Sequence, residues 1–133
     1  MLPRTLRALL ALVLCVAALV GCSTAVGDGA PAPTGSSGLV TVRVGDLPAE
    51  ARAALELIER GGPFPYEKDG ATFSNFERIL PLHERGYYRE YTVRTPGERD
   101  RGARRIVTGR DGEVYYTDDH YETFREVVTD EAR

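Results

Sequence analysis

Residues 87–105 read Tyr87-Tyr-Arg-Glu-Tyr-Thr-Val-Arg-Thr-Pro-Gly-Glu-Arg-Asp-Arg-Gly-Ala-Arg-Arg105. Polar and apolar positions alternate, a turn signal stands at Thr95-Pro96-Gly97, and the return is rich in arginine. Two alternating runs around such a turn predict a β-hairpin. Side chains along a strand point to opposite faces with a period of two. Centred on the turn, the hairpin sets Glu90 opposite Arg105 and Arg94 opposite Arg101. One face then carries a carboxylate and three guanidiniums, with Thr92 and Ala103 between them. The other carries Tyr91, Val93 and Ile106, which suit a core. A base beside an arginine clamp on a rigid sheet suits phosphate chemistry. A solvated, salt-bridged face is the plain alternative, and the hairpin alone leaves both open.

Composition narrows the setting. The chain has 133 residues, enough for one domain, and an ordinary hydrophobic content of 42%. Its net charge of −3 is not that of a general nucleic-acid binder. The total conceals a local asymmetry: eight arginines lie between Arg85 and Arg110, against Glu90, Glu98 and Asp100. Arginine offers phosphate a planar, two-pronged fork that lysine lacks.

The N-terminus predicts export. Arg4 and Arg7 precede an apolar run from Ala8 to Val20, too short for a comfortable membrane span. It ends Leu19-Val20-Gly21-Cys22, which resembles the lipobox of bacterial lipoproteins. Residues 1–21 are therefore expected as a signal peptide, with Cys22 lipidated and anchoring the chain to the outer face of the membrane. A plain secretory signal is the alternative. Both cysteines, Cys15 and Cys22, lie in this segment, so no disulfide is expected in the exported domain. Residues 22–38 are rich in Gly, Ala, Ser, Thr and Pro and read as a flexible tether. Residues 39–133 form the expected domain.

Within that domain Leu39–Val44 alternates as a short strand. Asp46-Leu47-Pro48 opens a helix, Leu47, Ala51, Ala54, Leu55 and Ile58 make its apolar stripe, and Gly61-Gly62 ends it. A strand is predicted over Ala71–Leu80, and a last hairpin joins Val114–Thr117 to Tyr121–Val128 across Asp118-Asp119-His120. One helix followed by a run of strands argues an α+β fold, with the N-terminal helix packed on an antiparallel sheet.

Taken in order, several stretches resemble the guanyl-specific microbial ribonucleases of the barnase and N1/T1/U2 type. They are Gly62-Pro63-Phe64-Pro65-Tyr66, Phe73-x-Asn75-x-Glu77, Leu80-Pro81, Gly86-Tyr87-Tyr88-x-Glu90-Tyr91-Thr92-Val93, Arg101-Gly102-x-Arg104-Arg105-Ile106 and Asp119-His120-Tyr121-x-Thr123-Phe124. The resemblance implies an endoribonuclease needing no metal or other cofactor, acting on single-stranded RNA after guanosine through a 2′,3′-cyclic phosphate. By position Glu90 matches the general base and His120 the general acid, while Arg101 and Arg105 match the phosphate-holding arginines. The base pocket maps to Phe73–Glu77: Glu77 matches the acceptor for guanine N1–H and N2–H, Asn75 shapes the loop, and Phe73 and Phe76 offer stacking surfaces. Tyr121 is placed to touch base or phosphate.

Chemistry suits these types. An imidazole is the side chain most easily kept protonated near neutrality beside a carboxylate, and DNA lacks the attacking 2′-hydroxyl. Against the family pattern, Phe76 stands where arginine is frequent, Ser74 where glutamine or another small polar residue is expected, and Asp118 where glycine is frequent. A binding module with weak catalysis on the same fold is the alternative reading. A monomer is expected, and a toxin role would add a small acidic inhibitor protein as a partner.

Overall fold

The computed structural model describes residues 31–130. The expected signal segment, Cys22 and the first part of the expected tether lie outside these residues. The order of elements is β1 (Thr41–Arg43), a 3-10 turn (Val44–Asp46), α1 (Ala49–Arg60), β2 (Ala71–Phe73), β3 (Tyr88–Thr92), β4 (Arg105–Gly109), β5 (Val114–Thr117) and β6 (Arg125–Val128). The six strands form one sheet in the order β1-β6-β5-β4-β3-β2.

The sheet is mixed, which corrects the expectation of a purely antiparallel one. Strands β2 to β6 pair antiparallel, but β1 runs parallel to β6, with Val42 beside Val127. The parallel pair joins the first and last strands of the chain. No local turn relates them, so nothing near either strand records their relative direction.

Helix α1 forms where the apolar stripe predicts it. Its C-terminus is closed by Gly61 at φ 77°, with Gly61 N–H on the Ile58 carbonyl and Gly62 N–H on that of Leu57. A residue without Cβ takes this left-handed conformation at little cost. Leu47 and Ala51 bury against Val93, Ile106 and Tyr116, flanked by Ala54, Leu55, Ile58 and Tyr91. The opposite face of the sheet has its own core of Leu80, Tyr87, Tyr88, Val107, Tyr115 and Phe124, covered by loops instead of a helix. Neighbouring Ile106 and Val107 are both fully buried, one in each core, because the pleat turns them to opposite sides.

The central hairpin differs in register from the one centred on its turn. Glu90 pairs with Val107, and Thr92 with Arg105. The pairing continues to Val93 N–H on the Arg104 carbonyl and then stops. Thr95 accepts the turn hydrogen bond from Glu98 N–H, but residues 98–104 bulge out before the return strand begins. The displacement is two residues, so every side chain of the paired strands keeps its face; a slip of one would have exchanged them. Glu90, Thr92 and Arg105 therefore share the face away from α1. Arg94 departs from the predicted arrangement: it lines a separate cleft beside α1 with Phe64 and Arg99.

Two predicted strands are shorter than expected. β2 ends at Phe73, because Asn75 and Arg78 take left-handed backbone, at φ 52° and 55°. β6 begins only at Arg125, because His120 and Tyr121 do the same, at φ 56° and 72°. Residues 33–38, within the expected tether, also bond to the rest of the domain. Gly35 N–H donates to the Leu39 carbonyl and Thr41 N–H to that of Pro33. Ser36 and Ser37 donate to the Glu126 carboxylate, so residues 33–38 are docked on the domain. Burial works against ionisation of Glu126, but the bonds from Ser37 and Ser36 outweigh it and hold the carboxyl below its ordinary value.

Candidate active site

The centre of the open sheet face is the Glu90 carboxylate, whose side chain is 12% exposed. Strand β3 aims it away from α1. Arg101 donates to Oε1 through Nη2 at 3.0 Å, and the Tyr121 hydroxyl donates to Oε2 at 2.8 Å. Thr92, two residues along the same face, accepts from Arg101 Nε at 2.9 Å. Two bonds from one guanidinium, to Thr92 and to Glu90, set the fork's plane.

Arg105 is held more deeply, at 3% exposure. Its Nη1 donates to the carbonyls of Arg101 (3.2 Å), Gly102 (3.0 Å) and Arg104 (2.7 Å). Its Nε donates to the Tyr121 hydroxyl at 3.1 Å. The bulge of residues 98–104 thus wraps the guanidinium with its own backbone. Gly102 N–H rests on the Asp100 carboxylate, and Gly102 sits at φ 61°, where an added Cβ would lie 2.6 Å from Thr95 Oγ1. The buried charge is satisfied by carbonyl dipoles, and among the described residues the guanidinium has no carboxylate partner of its own. Arg104, on the other face, extends toward Glu50 of α1 at 3.9 Å.

The Tyr121 hydroxyl joins the two halves, donating to Glu90 and accepting from Arg105. Burial first, and then the bond to Glu90, push its phenol above the ordinary value, so it serves as a neutral donor. Its ring stacks on Phe73 at 5.2 Å between centroids and 21° between planes.

The neighbouring His120 is exposed and projects from the loop between β5 and β6. Its N–H donates to the Ala103 carbonyl at 3.0 Å, which ties this loop to the arginine bulge. The loop is braced by Asp119. Thr117 Oγ1 donates to its carboxylate at 2.8 Å, and both N–H and hydroxyl of Thr123 donate to it as well. Burial disfavours the Asp119 anion, but the bonds from Thr123 and Thr117 prevail and hold its carboxyl below the ordinary value. Asp118 is exposed.

A cleft of about 660 Å³ opens over this face. Glu90, His120 and Tyr121 line one end, and Phe73, Asn75, Phe76 and Glu77 the other. Asn75 clamps the second end: its side-chain amide donates to the Leu80 carbonyl at 2.9 Å and accepts from Leu80 N–H at 3.1 Å. Loop 74–79 is thereby held as a rim, with Glu77 and Phe76 exposed on it. Of the nine residues singled out by the resemblance in this domain, seven line this one cleft, and Arg101 and Arg105 adjoin it through their bonds to Glu90 and Tyr121. His83 lies outside it, stacked on Tyr87 at 3.6 Å.

Sequence reasoning missed the roles of Thr92 and of the carbonyl cage. Thr92 was legible in principle, since it stands two residues from Glu90 on the same face. The cage was not, because backbone carbonyls leave no mark in a sequence.

A ribonuclease family model matches residues 30–128. Guanyl-specific ribonuclease St of Saccharopolyspora erythraea is 59% identical over 95 residues, covering 71% of this chain and 94% of the relative. Guanyl-specific ribonuclease Sa of Kitasatospora aureofaciens is 56% identical over 85 residues, covering 63% of this chain and 88% of the relative. Among solved structures, ribonuclease Sa2 complexed with mononucleotides aligns with a TM-score of 0.67 at 50% identity, over 68% of this chain and 94% of that one. Sa2 with guanosine-2′-cyclophosphate aligns with a TM-score of 0.67 at 49% identity, over 69% of this chain and 98% of that one. On the extent of the model match and the identity to these relatives, the chain belongs to the ribonuclease family.

Proposed function

We propose that this protein is a guanine-preferring endoribonuclease that cleaves single-stranded RNA without a metal. The observation that carries the reading is the single cleft, with Glu90 held by Arg101 and Tyr121, His120 beside them and the Phe73–Glu77 rim opposite. Guanine enters against the rim, where the Glu77 carboxylate accepts from its N1–H and N2–H. Adenine presents an acceptor at N1 and is refused. The ribose 3′-phosphate then falls toward Glu90.

Glu90 takes the proton of the 2′-hydroxyl, and the 2′-oxygen bonds to phosphorus. The bond from phosphorus to the 5′-oxygen breaks, and that oxygen receives its proton from His120. Arg101, Arg105 and the Tyr121 hydroxyl are fixed donors for the phosphoryl oxygens as they gain charge, and such donors need no rearrangement at the moment of reaction. In the second step water bonds to phosphorus and gives a proton to His120. The bond to the 2′-oxygen breaks, and Glu90 returns the first proton to it.

The test is product analysis on RNA in EDTA. Guanosine 2′,3′-cyclic phosphate termini are expected first and 3′-phosphates later; cleavage without preference for guanosine, or cleavage abolished by EDTA, overturns the reading.

The same reading extends to location. The basic and apolar N-terminal segment and the Val20-Gly21-Cys22 sequence support an exported lipoprotein tethered at Cys22. Cys22→Ala is expected to shift the protein from the membrane fraction to the medium or to leave an uncleaved precursor. Unchanged fractionation removes the anchor.

A further inference from the structure

The guanine rim has two sides. Phe73, Ser74, Asn75 and Phe76 line the catalytic cleft, and the same four residues line a second cavity of about 400 Å³ behind it. The second cavity holds none of Glu90, Arg101, Arg105, His120 or Tyr121. Its outer walls are Leu82 and His83, with Arg78 and Arg85. Its volume is within the range of small-molecule sites.

Three features of this cavity stand out. Phe76 is 89% exposed and Leu82 66%, and both are large apolar side chains held out in solvent. Neither belongs to either buried core among the described residues. The cavity is also cationic: Glu84 lines it but is ion-paired with Arg110, and Arg78 and Arg85 have no ion-pair partner among the described residues. Its mobility is limited, because the Asn75–Leu80 clamp fixes the partition between the two cavities. Flat apolar surface beside arginines, on a fixed frame, is the composition that takes a nucleobase and its phosphate.

Direction follows from the chemistry. The scissile phosphate is on the 3′ side of the bound guanosine, toward Glu90 and His120. The second cavity lies across the rim from those residues, so the nucleotide that reaches it is the one on the 5′ side. An aromatic ring has two faces, and Phe76 belongs to both cavities. We infer that the cavity bounded by Phe76, Leu82, His83 and Arg85 is a second nucleotide subsite, which binds the base 5′ to the guanosine by stacking and its phosphate by arginine. The inference rests on the ribonuclease reading of the first cleft. Stacking tolerates every base, so the subsite increases affinity for longer RNA without adding sequence preference.

The test compares GpU with ApGpU and UpGpU, in the wild type and in Leu82→Ser/Arg85→Ser. Both substituted side chains are exposed and lie outside the catalytic cleft. In the wild type the added 5′ nucleotide is expected to raise kcat/KM about tenfold through KM, as one stacked base supplies. In the double variant that gain falls to about twofold or less, while GpU is cleaved at the wild-type rate. A wild type that treats GpU and ApGpU alike, or a variant that keeps the full gain, overturns the subsite. A gain confined to ApGpU overturns stacking as its basis. Failure of the wild type to cleave GpU at all overturns the ribonuclease reading, and the subsite with it.

Discussion

Glutamine in place of Glu90 is expected to lower kcat/KM on GpU by about 10²–10⁴-fold, the usual contribution of a positioned general base. Glutamine keeps one oxygen as acceptor for Arg101, and its amide N–H can donate to the Tyr121 hydroxyl oxygen in place of the bond that hydroxyl gave, so the packing is kept and the melting temperature is expected to change little. What it lacks is the capacity to take the 2′-hydroxyl proton. His120→Ala is expected to cost a similar factor, also without loss of stability, since His120 is exposed and only its backbone N–H braces the loop. The double variant should be little slower than the worse single one, because residues that act in one step do not contribute additively. Steady-state rates on GpU with parallel thermal melts decide the matter. A Glu90→Gln protein with more than a tenth of wild-type activity removes Glu90 as the base.

Lysine in place of Arg105 is expected to reduce both activity and stability. The guanidinium spans the Tyr121 hydroxyl on one side and three backbone carbonyls on the other. A compact ammonium cannot reach both sets at once. The carbonyls left unsatisfied in this buried place cost about 1–3 kcal/mol each where water cannot replace the donor. Allowing for partial replacement by the ammonium, we expect a net loss of about 2 kcal/mol, or roughly 8–16 °C in Tm for a domain of this size. Loss of a fixed donor to the phosphoryl group adds a fall of about 10²–10³ in kcat. Arg101→Lys supplies the contrast. Arg101 is 25% exposed in its side chain, so its replacement should reduce kcat comparably while the melt hardly moves. If Arg105→Lys melts with the wild type, the carbonyl cage is not what holds the bulge.

The paired arginines are therefore alike in charge and different in use. Arg101 is oriented by side chains, Thr92 and Glu90, and stays partly open to solvent. Arg105 is oriented by backbone and is closed off. One guanidinium is held by side chains at a partly open position; the other is enclosed by the backbone of the bulge. Tyr121 couples the two, and its stacking on Phe73 links the Glu90 end of the cleft to the Phe73–Glu77 rim.

Much of this was legible in the chain itself. The period of two along Tyr87–Val93 determined that Glu90 and Thr92 share a face and that Tyr91 and Val93 go to the core, whatever the register. The stripe from Leu47 to Ile58 and the glycines after it determined the helix and its end, because each is a local interaction within a turn or two. What the sequence alone could not supply was everything that depends on distant partners. The hairpin register was displaced by two residues because the bulge is shaped by Arg105 gathering carbonyls, which no side-chain pattern encodes. The direction of β1 against β6 joins the two ends of the domain and has no local signal. His120 reaches the site through left-handed backbone at residues 120 and 121, braced by Asp119 and tied to Ala103, and only tertiary packing makes that conformation the stable one.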